Sequence, residues 1–178
     1  MKTVVGDSGI GAVVEDDEDA RWMRAALARA REAAREFDEV PVGAVVVSEA
    51  GELLAAAGNR TRTDCDPTAH AEIVALRAAA RRAGVFRLVG ATVYSTIEPC
   101  AMCAGALVQA RVARLVYGAR DERAGAVESI FRVCDAGSLN HRMELKAGVL
   151  EAECREVMQA FFRARRPRND ERGTMNDE

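Results

Sequence analysis

The spacing of apolar positions changes period several times along the chain. From Asp17 to about Phe37, Met23, Leu27, Ala30, Ala34 and Phe37 recur at helical spacing with arginines on the other face. That predicts an amphipathic helix whose stripe faces a core. Val40 to Val47 is a valine-rich run entered through Pro41, which predicts a buried strand. Glu49-Ala50-Gly51 supplies a turn, and Glu52 to Ala56 the second strand of a hairpin. After a polar, irregular stretch from Gly58 to Thr68, Ala69 to about Ala83 returns to helical period, with Ile73, Leu76 and Ala80 facing inward. Thr68 is a candidate cap for that helix. Arg81, Arg82 and Arg87 cluster near its end, where positive charge is favourable.

The second half continues the alternation. Ala91 to Ile97 is β-branched and predicts a strand, Ala101 to Ala110 a helix, and Arg111 to Tyr117 another strand. A helix between two strands predicts a parallel, right-handed crossover. Glu128 to Cys134 reads as a short helical piece, Leu139 to Arg142 as a loop, and Met143 to Ala147 as a last strand. Leu150 to about Arg166 is a closing helix with Cys154, Val157, Met158 and Phe161 on one face, stopped by Pro167.

Length and charge refine this picture. The 178 residues suit one domain with a single buried core. The net charge of −3 is unevenly spread. Residues 1–20 set one lysine against six acids, and residues 169–178 one arginine against four, so residues 21–168 carry +5. Residues 1–16 and 168–178 are therefore expected to be disordered acidic tails around a basic domain at 17–167. A basic body is compatible with a phosphate-bearing partner, and equally with a surface merely kept solvated by arginine. Gly6, Asp7, Gly9 and Gly11 interrupt any leader-like apolar segment, and no run is long enough to span a membrane, so a cytoplasmic location is the expectation. Five cysteines, an odd number, then favour thiols and metal ligation over disulfides.

Two short segments carry the chemistry: His70-Ala71-Glu72 and Pro99-Cys100-Ala101-Met102-Cys103, 30 positions apart at His70 and Cys100. Zinc favours thiolate sulfur and neutral imidazole nitrogen, and catalytic zinc has three protein ligands with one position open. His70, Cys100 and Cys103 supply three. Cys100 and Cys103 share a helix face, and Pro99 suits the helix entry. Glu72 is the candidate proton carrier, since a carboxylate beside an activated water can take its proton. Residues i and i+2 diverge on a regular helix, so His70 and Glu72 serve one centre only if that helix begins irregularly. The alternative, a structural zinc knot, needs a fourth protein ligand, for which Cys65, Cys134, Cys154 and His141 are the candidates.

The pattern H-x-E followed by P-C-x-x-C is the signature of zinc nucleobase deaminases. With "VPVGAVVV", "DPTAHAEIVALR", "EPCAMCAGAL", "RVARLVYGARD", "LNHR" and "FFRARR", the chain from about Glu18 to Arg166 resembles the bacterial transfer-RNA-specific adenosine deaminases. The strand–helix alternation and this resemblance imply a three-layer α/β/α cytidine-deaminase-like fold, with a five-stranded mixed sheet and helices on both faces. The resemblance further implies one Zn2+ per subunit, a homodimer, and adenosine-to-inosine deamination at the anticodon wobble position of a tRNA of the arginine class. It assigns substrate contacts to Asn59, Ala71, Asp121, Phe162, Arg165 and Arg166. From the residues alone Asn59 can equally stabilise a turn, the turn is the better reading of Asp121, and Phe161 is better read as core. Aromatics interleaved with arginine suit single-stranded RNA. Thr61 departs from the family pattern, which has a proline after the Asn59-Arg60 pair. A free nucleobase or nucleoside deaminase and a non-enzymatic zinc-stabilised RNA-binding module remain as rival readings.

Overall fold

The computed structural model describes the backbone of residues 10–166 and the side chains of residues 17–166. Helix α1 (Ile10–Phe37) is followed by β1 (Gly43–Val47), β2 (Leu53–Gly58), α2 (Ala71–Ala83), β3 (Thr92–Ile97), α3 (Ala101–Gln109), β4 (Arg114–Ala119), β5 (Glu144–Ala147) and α4 (Glu151–Arg165). The strands form one sheet in the order β2-β1-β3-β4-β5. β1 runs antiparallel to both β2 and β3, whereas β3–β4 and β4–β5 are parallel.

Alternation along the strands divides the core in two. Ala44, Val46, Val93, Leu115 and Tyr117 face α2 and α3, while Val45, Val47, Tyr94 and Val116 face α1 and α4. The layers are thus α1/α4, sheet, and α2/α3. β1 is buried at every position, which explains its unbroken valine run. Helix α1 lies hard against it: a Cβ on Gly43 would meet the carbonyl oxygen of Ala26 at 1.9 Å, so only glycine admits this approach.

Several boundaries differ from the sequence expectation. Helix α1 begins at Ile10, before Asp17, and its buried stripe is Met23, Ala26, Leu27, Ala30 and Ala33; Ala34 is half-buried and Phe37 exposed. In α2 the inward residue is Ala79, with Ala80 half-buried. The segment from Glu128 to Cys134 forms turns, not a helix. The tail expectations for residues 1–9 and 168–178, and the stop at Pro167, lie outside the described residues.

The topology decides where chemistry can gather. The carboxyl ends of β2, β3 and β4 lie on one rim of the sheet, because β1 reverses between β2 and β3. From that rim the chain passes to Asn59, to Glu98-Pro99-Cys100 and to Asp121. Open α/β sheets place ligand sites at this edge.

Candidate active site

His70 is the N-cap of α2, with φ −66° and ψ 152°. This extended cap answers the spacing difficulty: His70 lies outside the helix proper, and Glu72 in its first turn can share its surroundings. Thr68 does not cap the helix; its backbone N–H and hydroxyl both donate to Asp66 Oδ1. Cys100 is likewise the N-cap of α3, and Cys103 sits in the first turn. Two helix beginnings therefore converge. Both sulfurs lie 3.6 Å from His70 Nδ1, and all three ligand atoms fall within 4.8 Å of one another.

The donor set is the combination that zinc favours. Among the described residues the cluster stops at these three. Cys65 is exposed, with its thiol toward the Arg62 carbonyl, and Cys134 and Cys154 are buried elsewhere. His141 is structural, its Nε2 2.7 Å from the Val112 carbonyl oxygen. The four candidates for a fourth ligand are thus placed apart from the site.

Electrostatics single out Cys100 and Glu72. The Cys100 thiol is drawn down to about 3, first by the hydrogen bond from Cys103 and then by His70. Cys103 is pushed up by its role as donor and by burial. His70 is raised, first by its bond with Cys100. Glu72 is buried, and desolvation raises its carboxyl above the ordinary range. Its side-chain partners are the Cys103 thiol at 3.5 Å and Ser95 Oγ at 3.2 Å, and its own backbone N–H offsets part of the burial effect. Ser95 Oγ also lies 2.8 Å from the Ile97 carbonyl oxygen. A hydroxyl has one proton to give. When Ser95 donates to Ile97, its oxygen is free to accept from a protonated Glu72.

These groups open on a cavity of about 500 Å3 lined by His70, Glu72 and Cys100 at its base, with Asn59, Asp121 and Phe162 around them. That size is typical of small-molecule sites. Asn59 Oδ1 accepts from the Ala71 N–H at 2.9 Å, so Asn59 also secures the start of α2. Ala71 is consequently buried with its N–H engaged, and only Asn59 reaches the cavity. Asp121 Oδ1 accepts from the N–H groups of Arg123 and Ala124, as in a turn, and the residue also lines the cavity. Phe162 is 48% exposed and packs edge-on to buried Phe161, at 5.4 Å between centroids. It also lines an adjoining groove with Arg123, Arg163, Arg165 and Arg166. Arg165 is not free there: it lies over the Phe161 ring and pairs with Asp38, which also binds Arg62.

Sequence reasoning passed over two buried acids that shape the rim. Glu39 accepts from Thr61 Oγ1, from Thr63 Oγ1, and from the N–H groups of Arg62 and Thr63. The departure at Thr61 thus has a partner, at 3.0 Å. Glu98 accepts from the N–H groups of Asp121, Val127, Glu128 and Ser129. Burial alone would raise both carboxyls, but the hydrogen bonds, led by Thr63 and by Glu128 respectively, hold them below the usual range. Periodicity marks out neither, since Glu39 follows Asp38 ahead of β1 and Glu98 stands between the end of β3 and Pro99. Ser95, inside an apolar strand, was missed as well.

The MafB19-like deaminase family model matches residues 17–166. The tRNA-specific adenosine deaminase of Haemophilus influenzae is 43% identical over 155 residues, 87% of this chain and 89% of that protein. The corresponding enzyme of Agrobacterium fabrum is 46% identical, over 84% of this chain and 97% of its own length. A structure solved in a study of A-to-I editing by tRNA:A34 deaminases at the wobble position superposes with a TM-score of 0.74 at 47% identity, over 77% of this chain and 98% of the other. A guanine deaminase from Bacillus subtilis shares the fold more distantly, with a TM-score of 0.55 at 29% identity over 85% of this chain and 96% of the other. With a deaminase model spanning its folded part and relatives this similar over most of both chains, the protein belongs to the family of tRNA-specific adenosine deaminases.

Proposed function

We propose that this protein hydrolyses adenosine to inosine at the wobble position of a tRNA anticodon loop, with tRNA of the arginine class as substrate. The observation that carries the reading is a buried carboxylate, Glu72, beside a His/Cys/Cys cluster at the base of a cavity that opens onto a groove lined with arginine. His70, Cys100 and Cys103 would hold one zinc ion, which when bound supplies the Lewis acidity that makes water nucleophilic near neutral pH. Glu72 accepts the proton of the attacking water and delivers it to N1 of the purine. It then assists protonation of the leaving amine, so that oxygen replaces nitrogen at C6 and ammonia departs. Its raised affinity for a proton suits a group that must both take and give one. Asn59 offers its amide to the base edge, and Asp121 its remaining oxygen to the sugar. Phe162 stacks a neighbouring base, and Arg165 and Arg166 meet phosphates, Arg165 by exchanging its exposed pairing with Asp38. An unpaired anticodon loop lowers the cost of extracting the base.

A second copy of the chain is the partner we place on the α2/α3 face. Ile73, Leu76, Ala80, Ala106 and Ala110 line an apolar groove there beside Phe86, which is 79% exposed. Light scattering should then give twice the 19.2 kDa of one chain. Among the described residues no helix is long and apolar enough to cross a membrane, and the proposed substrate places the enzyme in the cytoplasm.

The experiment is direct. Purified protein containing about one zinc per chain is incubated with the tRNA that reads arginine codons, and inosine is scored by sequencing. Its absence at the wobble position overturns the substrate. Turnover of free guanine or cytosine instead would move the protein to the nucleobase deaminases.

A further inference from the structure

Between β4 and β5 the chain runs from Arg120 to Met143 without a helix or a regular strand. Three residues of this segment, Asp121, Arg123 and Ala124, line the cavity. Something outside the segment must therefore give it its shape, since a stretch without its own backbone ladder leaves N–H groups to be satisfied elsewhere. Glu98 does so. Its carboxylate is only 1% exposed and accepts five hydrogen bonds from the loop. Oε1 takes the N–H groups of Val127, Glu128 and Ser129 at 3.0, 2.7 and 2.9 Å; Oε2 takes the Asp121 N–H at 3.1 Å and the Ser129 hydroxyl. The same turn is stitched to the entry of α3 by the Ala126 N–H on the Pro99 carbonyl at 2.8 Å and by a bridge between Cys100 and Gly125. Gly125 is fitted to this arrangement, because a Cβ there would meet Glu98 Cδ at 2.4 Å.

We infer that Glu98 is a positioning residue for the substrate rim: by holding the 121–129 loop against the start of the ligand helix, it fixes Asp121 and Arg123 across the cavity from Asn59 and so sets the enzyme's affinity for RNA. Its influence passes through the loop backbone and not through proton transfer. This rests on the tRNA reading above, and the test separates the two.

The test compares zinc-loaded full-length protein with Glu98→Gln, Ser129→Ala and Gly125→Ala. Glutamine keeps the volume of Glu98 but turns an amide donor toward N–H donors. Amide exchange over residues 121–129, zinc content, and editing rate against tRNA concentration are measured together. Glu98→Gln should keep about one zinc per chain and raise exchange in the loop about tenfold or more. It should raise KM for tRNA about tenfold, with kcat changed less than about threefold. Ser129→Ala, which removes one donor of five, should shift KM in the same direction by less. A fall in kcat with unchanged KM, or a loosened loop with unchanged KM, overturns the inference. If Glu98→Gln does not fold, Gly125→Ala decides: it leaves Glu98 intact, displaces the loop and must reproduce the rise in KM. If the unaltered protein edits no tRNA, the functional reading fails, and exchange alone decides whether Glu98 holds the loop.

Discussion

Tyr94 and Ser95 are neighbours on β3 and point to opposite faces of the sheet, and each meets a buried carboxylate. On the α1/α4 side, Tyr94 donates to Asp19 at 2.9 Å, and Asp19 is further bound by Arg114 at 2.7 and 2.9 Å and by Lys146 at 2.8 Å. Burial would raise its carboxyl, but the bonds from Arg114, then Lys146 and Tyr94, bring it down to about 2. On the α2/α3 side, Ser95 meets Glu72, whose other partner is a thiol, and burial prevails. Both acids are closed to solvent, but Asp19 sits beside partners that reach the surface, Arg114 and Lys146, whereas Glu72 lies deeper and is the more strongly desolvated. They differ as well in how completely each is satisfied. A carboxylate surrounded by cations and donors holds its charge and acts as a rivet; one given a hydroxyl and a thiol keeps a proton within reach and can move it.

The comparison can be broken at either acid. Glu72→Gln should lower editing by on the order of a thousandfold while zinc is retained; editing within tenfold of the unaltered enzyme would remove Glu72 from proton transfer. Asp19→Asn leaves Arg114 and Lys146 without their buried anion. It should lower the unfolding free energy by about 3 kcal/mol in a urea titration, with editing at low temperature unchanged. A loss of activity in the folded variant would show that the far side of the sheet is not merely structural.

Acid provides a finer probe. The folded-state value of Asp19, about 2, lies below its unfolded 3.8. Its stabilisation is therefore complete above the unfolded value and is lost as pH falls through the folded one. That contribution is about 2 kcal/mol, and the acid limb of the stability curve between these values should flatten in Asp19→Asn. The smallest effect should follow Ser95→Ala. Removing one buried hydroxyl from Glu72 should cost about 1 kcal/mol of transition-state stabilisation, a several-fold fall in kcat with little change in KM. An unchanged rate would mean that Ser95 serves only the strand.

Sequence periodicity reached the element order and the two-faced layering because each helix or strand is written within a window of about ten residues. It brought His70, Cys100 and Cys103 together, as the structure does, because metal-ligand chemistry restricts residue type and spacing together. It missed at boundaries and loops. Thr68 has the chemistry of a cap, yet Asp66 claims its hydroxyl. The segment from Glu128 to Cys134 reads as a short helix in the sequence, but Glu98 takes the amides of Glu128 and Ser129 and the chain turns there instead. Arg165 pairs with Asp38, 127 positions away, a neighbour that spacing along the chain does not reveal.

The chain by itself determined the kind of chemistry available and the elements that carry it, since both are local properties of residue type and spacing. Only the tertiary structure decided which buried acid is riveted by cations and which has its proton affinity raised by burial, and which arginines are held in ion pairs. Those outcomes depend on partners such as Asp19 and Arg114, which stand 95 positions apart and meet only when the sheet has formed. A polar group's behaviour follows from the full set of donors and charges around it, and folding assembles that set from distant parts of the chain.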